Sequence, residues 1–166
     1  MEKEIAEQPE TIINAMRGRV DFQSHKIDLS EVTLSKKQLA KINRIILVAM
    51  GTSLHAAMAG AKMLEALSQI PSVAEHSSEF RYRDPILSNG TLVISIGQSG
   101  ETVDTLAAME EAKNKGATIL TICNTDNSQA TRLADGCIPM RAGLEIGVAA
   151  TKTFLNTLVS LYLFAS

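Results

Sequence analysis

The sequence predicts an α/β protein, a three-layer αβα sandwich around a five-stranded parallel sheet. Two observations carry this. From about residue 44 onward, apolar runs rich in β-branched residues alternate with helical patterns, the order that successive βα units require. Two of these runs pass straight into short loops of Gly, Ser and Thr that open a helix. The length of 166 residues fits one domain able to bury a core without disulfides or metals.

Taken in order, "RIILVAM" (44–50) reads as a buried strand, followed by "GTS" and a helix from Ser53 to about Ser68 whose Ala and Met residues allow close packing. "SVAEHSS" (72–78) is a weaker second strand and "TLVISI" (91–96) the third. The next helix is expected to put Val103, Leu106 and Ala107 on one face and Asp104 on another, stopping between Lys113 and Gly116. "ATILTICN" (117–124) is the fourth strand, and "NSQATRLA" (127–134) a short helix capped by Asn127 or Ser128. "GCIPMR" (136–141) is the fifth, placed at a sheet edge because Pro139 has no N–H to donate. A last helix is expected to begin near Ala149.

Residues 1–40 have a different character. "EIAEQPETIINAM" (4–16) and "TLSKKQLAKI" (33–42) read as two amphipathic helices around a polar stretch, a helical lead-in packing on the sheet domain of residues 41–166. The C-terminal "FLNTLVSLYLFAS" is apolar on nearly every face, so a cover is expected from a missing second domain, a homodimer, or both. A chain ending inside a helical pattern reads as truncated from a longer parent.

Composition narrows the function. A net charge of -2 with both signs interspersed offers no basic stripe for nucleic acid. Cys123 and Cys137 lie in apolar surroundings without a CxxC pair, which fits a reducing cytoplasm and offers no metal site. The charged start "MEKEIAEQPE" is unlike a signal peptide, and no apolar run reaches the roughly 20 residues of a membrane span, so a cytoplasmic protein with no membrane partner is expected.

In a parallel α/β sheet the strand C-termini and helix N-termini share one edge, where ligands bind at the switch in strand order. Two polar loops should meet there: Gly51, Thr52 and Ser53 after the first strand, and Gln98, Ser99, Gly100, Glu101 and Thr102 after the third. Each offers hydroxyls and free N–H groups at the positive end of a helix, which suits phosphate. Neither GxxxxGK[ST] nor GxGxxG occurs, so no nucleotide cofactor is implied and a sugar monophosphate fits better. The plainer alternative makes Ser53, Ser99 and Thr102 simple N-caps, each worth about 1 kcal/mol. Glu101 is accounted for by the helix dipole alone, a lone His55 is more often structural than catalytic, and Cys123 reads as core.

Four segments, "GTSLHAA", "SSEFRYRDPI", "GQSGETVDTLAA" and "EIGVAATKTF", resemble in order and spacing the first sugar isomerase (SIS) domain of the glucosamine-6-phosphate synthases, with a flavodoxin/Rossmann-like fold. "KEIAEQPETIINAMRGRV" (3–20) resembles the linker before that family's isomerase half. The resemblance implies that Thr52, Ser53, Gln98, Ser99 and Thr102 hold the phosphate of fructose 6-phosphate or glucosamine 6-phosphate. It also implies that Val148 and Ala149 line the sugar. In complete family members a glutaminase domain releases ammonia and two SIS domains convert the aminated ketose to the aldose. The Glu base, ring-opening His and Schiff-base Lys of that chemistry come from a second SIS domain or the C-terminal tail. Three positions depart from the family pattern: Gly97 and Ala150 stand where Ser is usual, and Met50 where Cys is usual. The missing hydroxyl at Gly97 removes one neutral hydrogen bond to phosphate, on the order of 1 kcal/mol.

The expected function is hexose 6-phosphate binding without turnover, within an enzyme that aminates and isomerises fructose 6-phosphate. The alternatives are a non-catalytic sugar-phosphate-sensing module and a stand-alone isomerase. The last would need Glu101, Glu145 or His55 as its base.

Overall fold

In the computed structural model, which describes residues 1–166, the lead-in is more broken than its sequence pattern predicts. The first amphipathic stretch divides into α1 (Glu2–Ala6) and α2 (Gln8–Met16), with Pro9 in the first turn of α2, where an absent N–H costs nothing. The polar stretch contains a small antiparallel hairpin, β1 (Val20–Asp21) against β2 (Lys26–Ile27). The second predicted helix shrinks to the single turn α3 (Lys36–Leu39), closed by a capping box between Ser35 and Gln38.

The sheet domain follows the predicted alternation. Its elements are β3 (Arg44–Ala49), α4 (Gly51–Ser68), β4 (Ser72–His76), α5 (Ser77–Tyr82), β5 (Thr91–Gly97) and α6 (Val103–Asn114), then β6 (Thr118–Cys123), α7 (Gln129–Leu133), β7 (Gly136–Pro139) and α8 (Lys152–Ala165). All five sheet strands pair in parallel, in the order β4-β3-β5-β6-β7, so the direction of winding reverses between β3 and β5. Pro139 does mark an edge strand. Ser128 is the cap of α7, its Oγ accepting from Thr131 N–H at 3.4 Å.

Several boundaries differ from the sequence reading. Ser77 and Ser78 belong to α5, not to the second strand, and α4 begins at Gly51 instead of Ser53. The last helix starts at Lys152, leaving Ala149 in the loop before it. The buried face of α6 is Thr105, Ala108, Met109 and Ala112, while Val103 is 77% exposed. Val103 opens the helix at the sheet edge, where no neighbour stands over it.

The alternation along each strand feeds two cores. Ile45, Leu47 and Ala49 of β3 join Ile94, Leu120, Leu64 and Leu161 on the face covered by α4 and α8. Ile46 and Val48 join Val93, Ile119, Phe80 and Met109 under α5, α6 and α7. The chain itself covers one side of α8, through α4 and α2, and leaves Phe154, Leu155, Leu158 and Val159 half-buried and Tyr162 exposed, so that part of the helix still lacks the expected cover. The buried side of α8 is largely polar: Lys152, Thr153, Asn156, Thr157 and Ser160 point inward with Leu161. Asn156 Nδ2 donates to Thr11 O at 3.0 Å and to Met140 O at 2.9 Å, fastening α2 to the segment after β7. Arg19, 2% exposed, donates to Ala15 O and Pro139 O and pairs with Glu31. No helix is long and apolar enough to cross a membrane.

Candidate functional site

At the strand C-termini, on either side of the β3/β5 reversal, lies an open cavity of about 390 Å³. The loop after β3 contributes Met50, Gly51, Thr52 and Ser53, and the loop after β5 contributes Gly97, Gln98, Ser99 and Thr102. The third side is an irregular segment after β7, from Glu145 to Val148 together with Ala150.

Of the residues expected from sequence, Gly51, Thr52, Ser53, Gln98, Ser99, Thr102 and Val148 therefore line one space. Gly100 and Ala149 do not. Gly100 turns the loop with φ +67°, and a Cβ there would strike Ser128 and Cys123, so its place is structural. Val148 is fully exposed and stands at the cavity mouth.

The simple N-cap reading fails for these loops. Met50 and Thr102 occupy the N-cap positions of α4 and α6, and neither side chain makes a cap hydrogen bond. Ser53 is already inside α4, and Ser99 Oγ accepts from Glu101 N–H at 3.2 Å within its own loop. The first N–H groups of both helices thus keep no side-chain partner, and both positive helix ends meet at one cavity. No lysine or arginine lines it.

Of the three groups considered as bases, Glu101 and His55 lie outside the cavity, and Glu145 lines it with its carboxylate committed to the start of α8. Glu101 accepts from Gln129 N–H at 2.8 Å and from the Gln129 amide at 2.6 Å, anchoring the start of α7. His55 is exposed on α4 and absent from the cavity lining. Glu145 is 7% exposed, and its carboxylate accepts from Thr151 N–H at 2.9 Å, Thr151 Oγ1 at 3.1 Å and the Thr153 hydroxyl. It caps α8 from the cavity side. Cys123 is buried, and burial pushes the Cys137 thiol up to about 12. No group of His, Cys, Asp or Glu is placed to hold a metal ion.

Of the third wall, the sequence points to Val148 as a sugar-lining residue and to Glu145 only as a possible base. Asn124 fixes its start, donating to Gly143 O at 2.7 Å and accepting from Ala142 N–H at 2.9 Å. Gln98 Nε2 reaches Glu145 O at 3.2 Å, joining the β5 loop to this wall. From α1, Glu4 accepts from Ile146 N–H at 2.6 Å and Gly147 N–H at 3.1 Å. These amides, first Ile146 and then Gly147, with the amino terminus beside them, hold the Glu4 carboxyl down at about 2.

Fold and cavity together define a class. Residues 38–166 match the SIS domain model, and the chain belongs to the SIS domain family. Within it, the chain is 47% identical over 163 residues to a glutamine–fructose-6-phosphate aminotransferase [isomerizing] of Mycolicibacterium smegmatis, a match covering 98% of this chain and 26% of that protein. A relative of the same name from Clostridium tetani is 45% identical over 165 residues, covering 99% of this chain and 27% of its own length. Among solved structures, the C-terminal domain of glucosamine-fructose-6-phosphate aminotransferase from Francisella tularensis superposes with a TM-score of 0.90 at 38% identity, covering 98% of this chain and 46% of that one. The chain spans about a quarter of the length of the curated relatives it matches.

Proposed function

We propose that this chain is the sugar-phosphate-binding domain of an enzyme that aminates and isomerises fructose 6-phosphate to glucosamine 6-phosphate. One observation carries the reading: two uncapped helix N-termini converge on one cavity whose loops and first helical turns bring Thr52, Ser53, Ser99 and Thr102, with Thr105 behind them, and no cation. A phosphate dianion finds donors there without a lysine, from oriented N–H groups and neutral O–H groups. The names of the relatives support a hexose 6-phosphate as the ligand.

In this assignment Thr52, Ser53, Gln98, Ser99 and Thr102 take the phosphate, while Val148 and Ala150 border the sugar. Residues 1–40 serve as a lead-in to the SIS domain of residues 41–166. The chemistry at C1 and C2 needs an acid, a base and an amine from outside these residues, because Glu101 and Glu145 are committed to helix starts. The protein works in the cytoplasm, as a homodimer or against a second SIS domain, which also covers the half-buried Phe154, Leu155, Leu158 and Val159 of α8.

Calorimetric titration tests the reading. Glucosamine 6-phosphate and fructose 6-phosphate should bind, and unphosphorylated glucosamine should bind roughly a hundredfold more weakly or worse, since charge-assisted contacts are lost. Equal affinity for glucosamine and its phosphate would refute it. Light scattering at several concentrations tests self-association.

A further inference from the structure

The third wall of the cavity is fixed by a residue that lies far away in sequence and never enters the cavity. Glu4 accepts from two consecutive N–H groups, those of Ile146 and Gly147, across 142 and 143 residues of chain. The residue is only 7% exposed, so water does not easily replace these bonds. Gly147 makes the approach possible: a Cβ there would sit 2.7 Å from Glu4 Oε2. Ile146 and Gly147 both line the cavity, while Glu4 opens on a different cleft beside α2.

A carboxylate that binds two successive N–H groups sets the plane of both peptides. It thereby sets where Val148 and Ala150 stand relative to the phosphate loops. A second link acts further along the same segment, where Lys152 Nζ, at the 3% exposed start of α8, donates to Glu7 Oε2 at 2.6 Å. The far end of the wall is held from within by Glu145 on Thr151 and Thr153. Glu4 therefore supplies the only side-chain hydrogen bonds received by the Ile146 and Gly147 amides at the middle of the wall.

We propose that Glu4 is a positioning residue for the sugar-phosphate site: by holding the Ile146 and Gly147 amides, it keeps the third wall where it closes on the sugar, without touching the ligand. The proposal rests on the sugar-phosphate reading above. Removing the carboxylate frees the wall to leave its binding position, and a wall in place a tenth of the time weakens apparent affinity about tenfold.

The test compares Glu4→Ala, Glu4→Gln and Asn156→Ala in the 166-residue chain. Asn156 ties α8 to Thr11 and Met140 and makes no bond to the 145–151 segment, so its loss reports general loosening. Three quantities are measured: the calorimetric Kd for glucosamine 6-phosphate, Tm, and hydrogen exchange at the Ile146 and Gly147 amides. Glu4→Ala should weaken binding about tenfold and speed exchange at both amides. Glu4→Gln, which keeps one acceptor oxygen, should recover part of the affinity. Asn156→Ala should lower Tm at least as far with Kd within about twofold of wild type. An unchanged Kd for Glu4→Ala, or an equal loss of affinity in Asn156→Ala, overturns the positioning role alone. A wild-type chain that binds no sugar phosphate overturns the functional reading and this proposal together.

Discussion

The cavity has two kinds of wall. The loops after β3 and β5 grow directly out of sheet strands, and their donors are backbone N–H groups and hydroxyls a few residues apart. The segment after β7 has no regular structure at the cavity, and long-range side chains hold it: Asn124, Gln98, Glu4 and its own Glu145. The first kind is as rigid as the sheet it continues. The second is as rigid as its few polar anchors. Under the proposed function, a site built this way would recognise the phosphate with preformed parts and meet the sugar with a part that a single substitution can loosen.

The contrast can be broken on its rigid side first. The double variant Thr52→Ala/Thr102→Ala removes two hydroxyls worth about 1 kcal/mol each, so affinity for glucosamine 6-phosphate should fall roughly thirtyfold. Because neither hydroxyl caps its helix, Tm should stay within about 2 °C of wild type. A Tm loss with unchanged affinity would return both residues to a purely structural role. Gly97→Ser probes the same wall in the opposite direction. A Cβ at Gly97 has nothing nearer than Gly100 N at 4.0 Å, so the hydroxyl fits, and binding should tighten about fivefold, matching one neutral hydrogen bond.

The smallest effect at neutral pH, and the one most particular to the polar-anchored wall, is its acid response. Glu4 titrates near 4.5 when unfolded and at about 2 when folded, a depressed value. Its contribution is therefore complete above pH 4.5 and is lost as pH falls through about 2. Protection of the Ile146 and Gly147 amides should decline progressively between about pH 4.5 and about pH 2 in wild type and be low and independent of pH in Glu4→Ala. Complete loss of protection already at pH 4.5 in wild type would show that Glu4 is not held as described.

The same division explains what could be read from sequence. Strands β3, β5 and β6 and the loops that leave them are local patterns: a run such as "RIILVA" followed by "GTS" states both the strand and its polar end. Seven of the nine residues expected at the site stand in the cavity because those loops carry most of them. The Glu4 bond to Ile146 has no such signature, since nothing periodic joins residues 142 apart. Helix α5 is not legible because "SSEFRY" is too short to show a helical period, and the start of α8 is hidden because its cap, Glu145, sits six residues before Thr151 and is not an ordinary N-cap neighbour.

Arg19 has a consequence for how the molecule behaves in company. A parallel sheet ends in strands whose outer N–H and C=O groups invite another chain to add on. At β7, Pro139 has no N–H to offer and Arg19 already occupies its carbonyl. The lead-in thus blocks the C-terminal end of this edge strand against strand-by-strand growth. Cutting it away at residue 20 should leave a sheet that recruits copies of itself, and turbidity on mild warming would be its first sign.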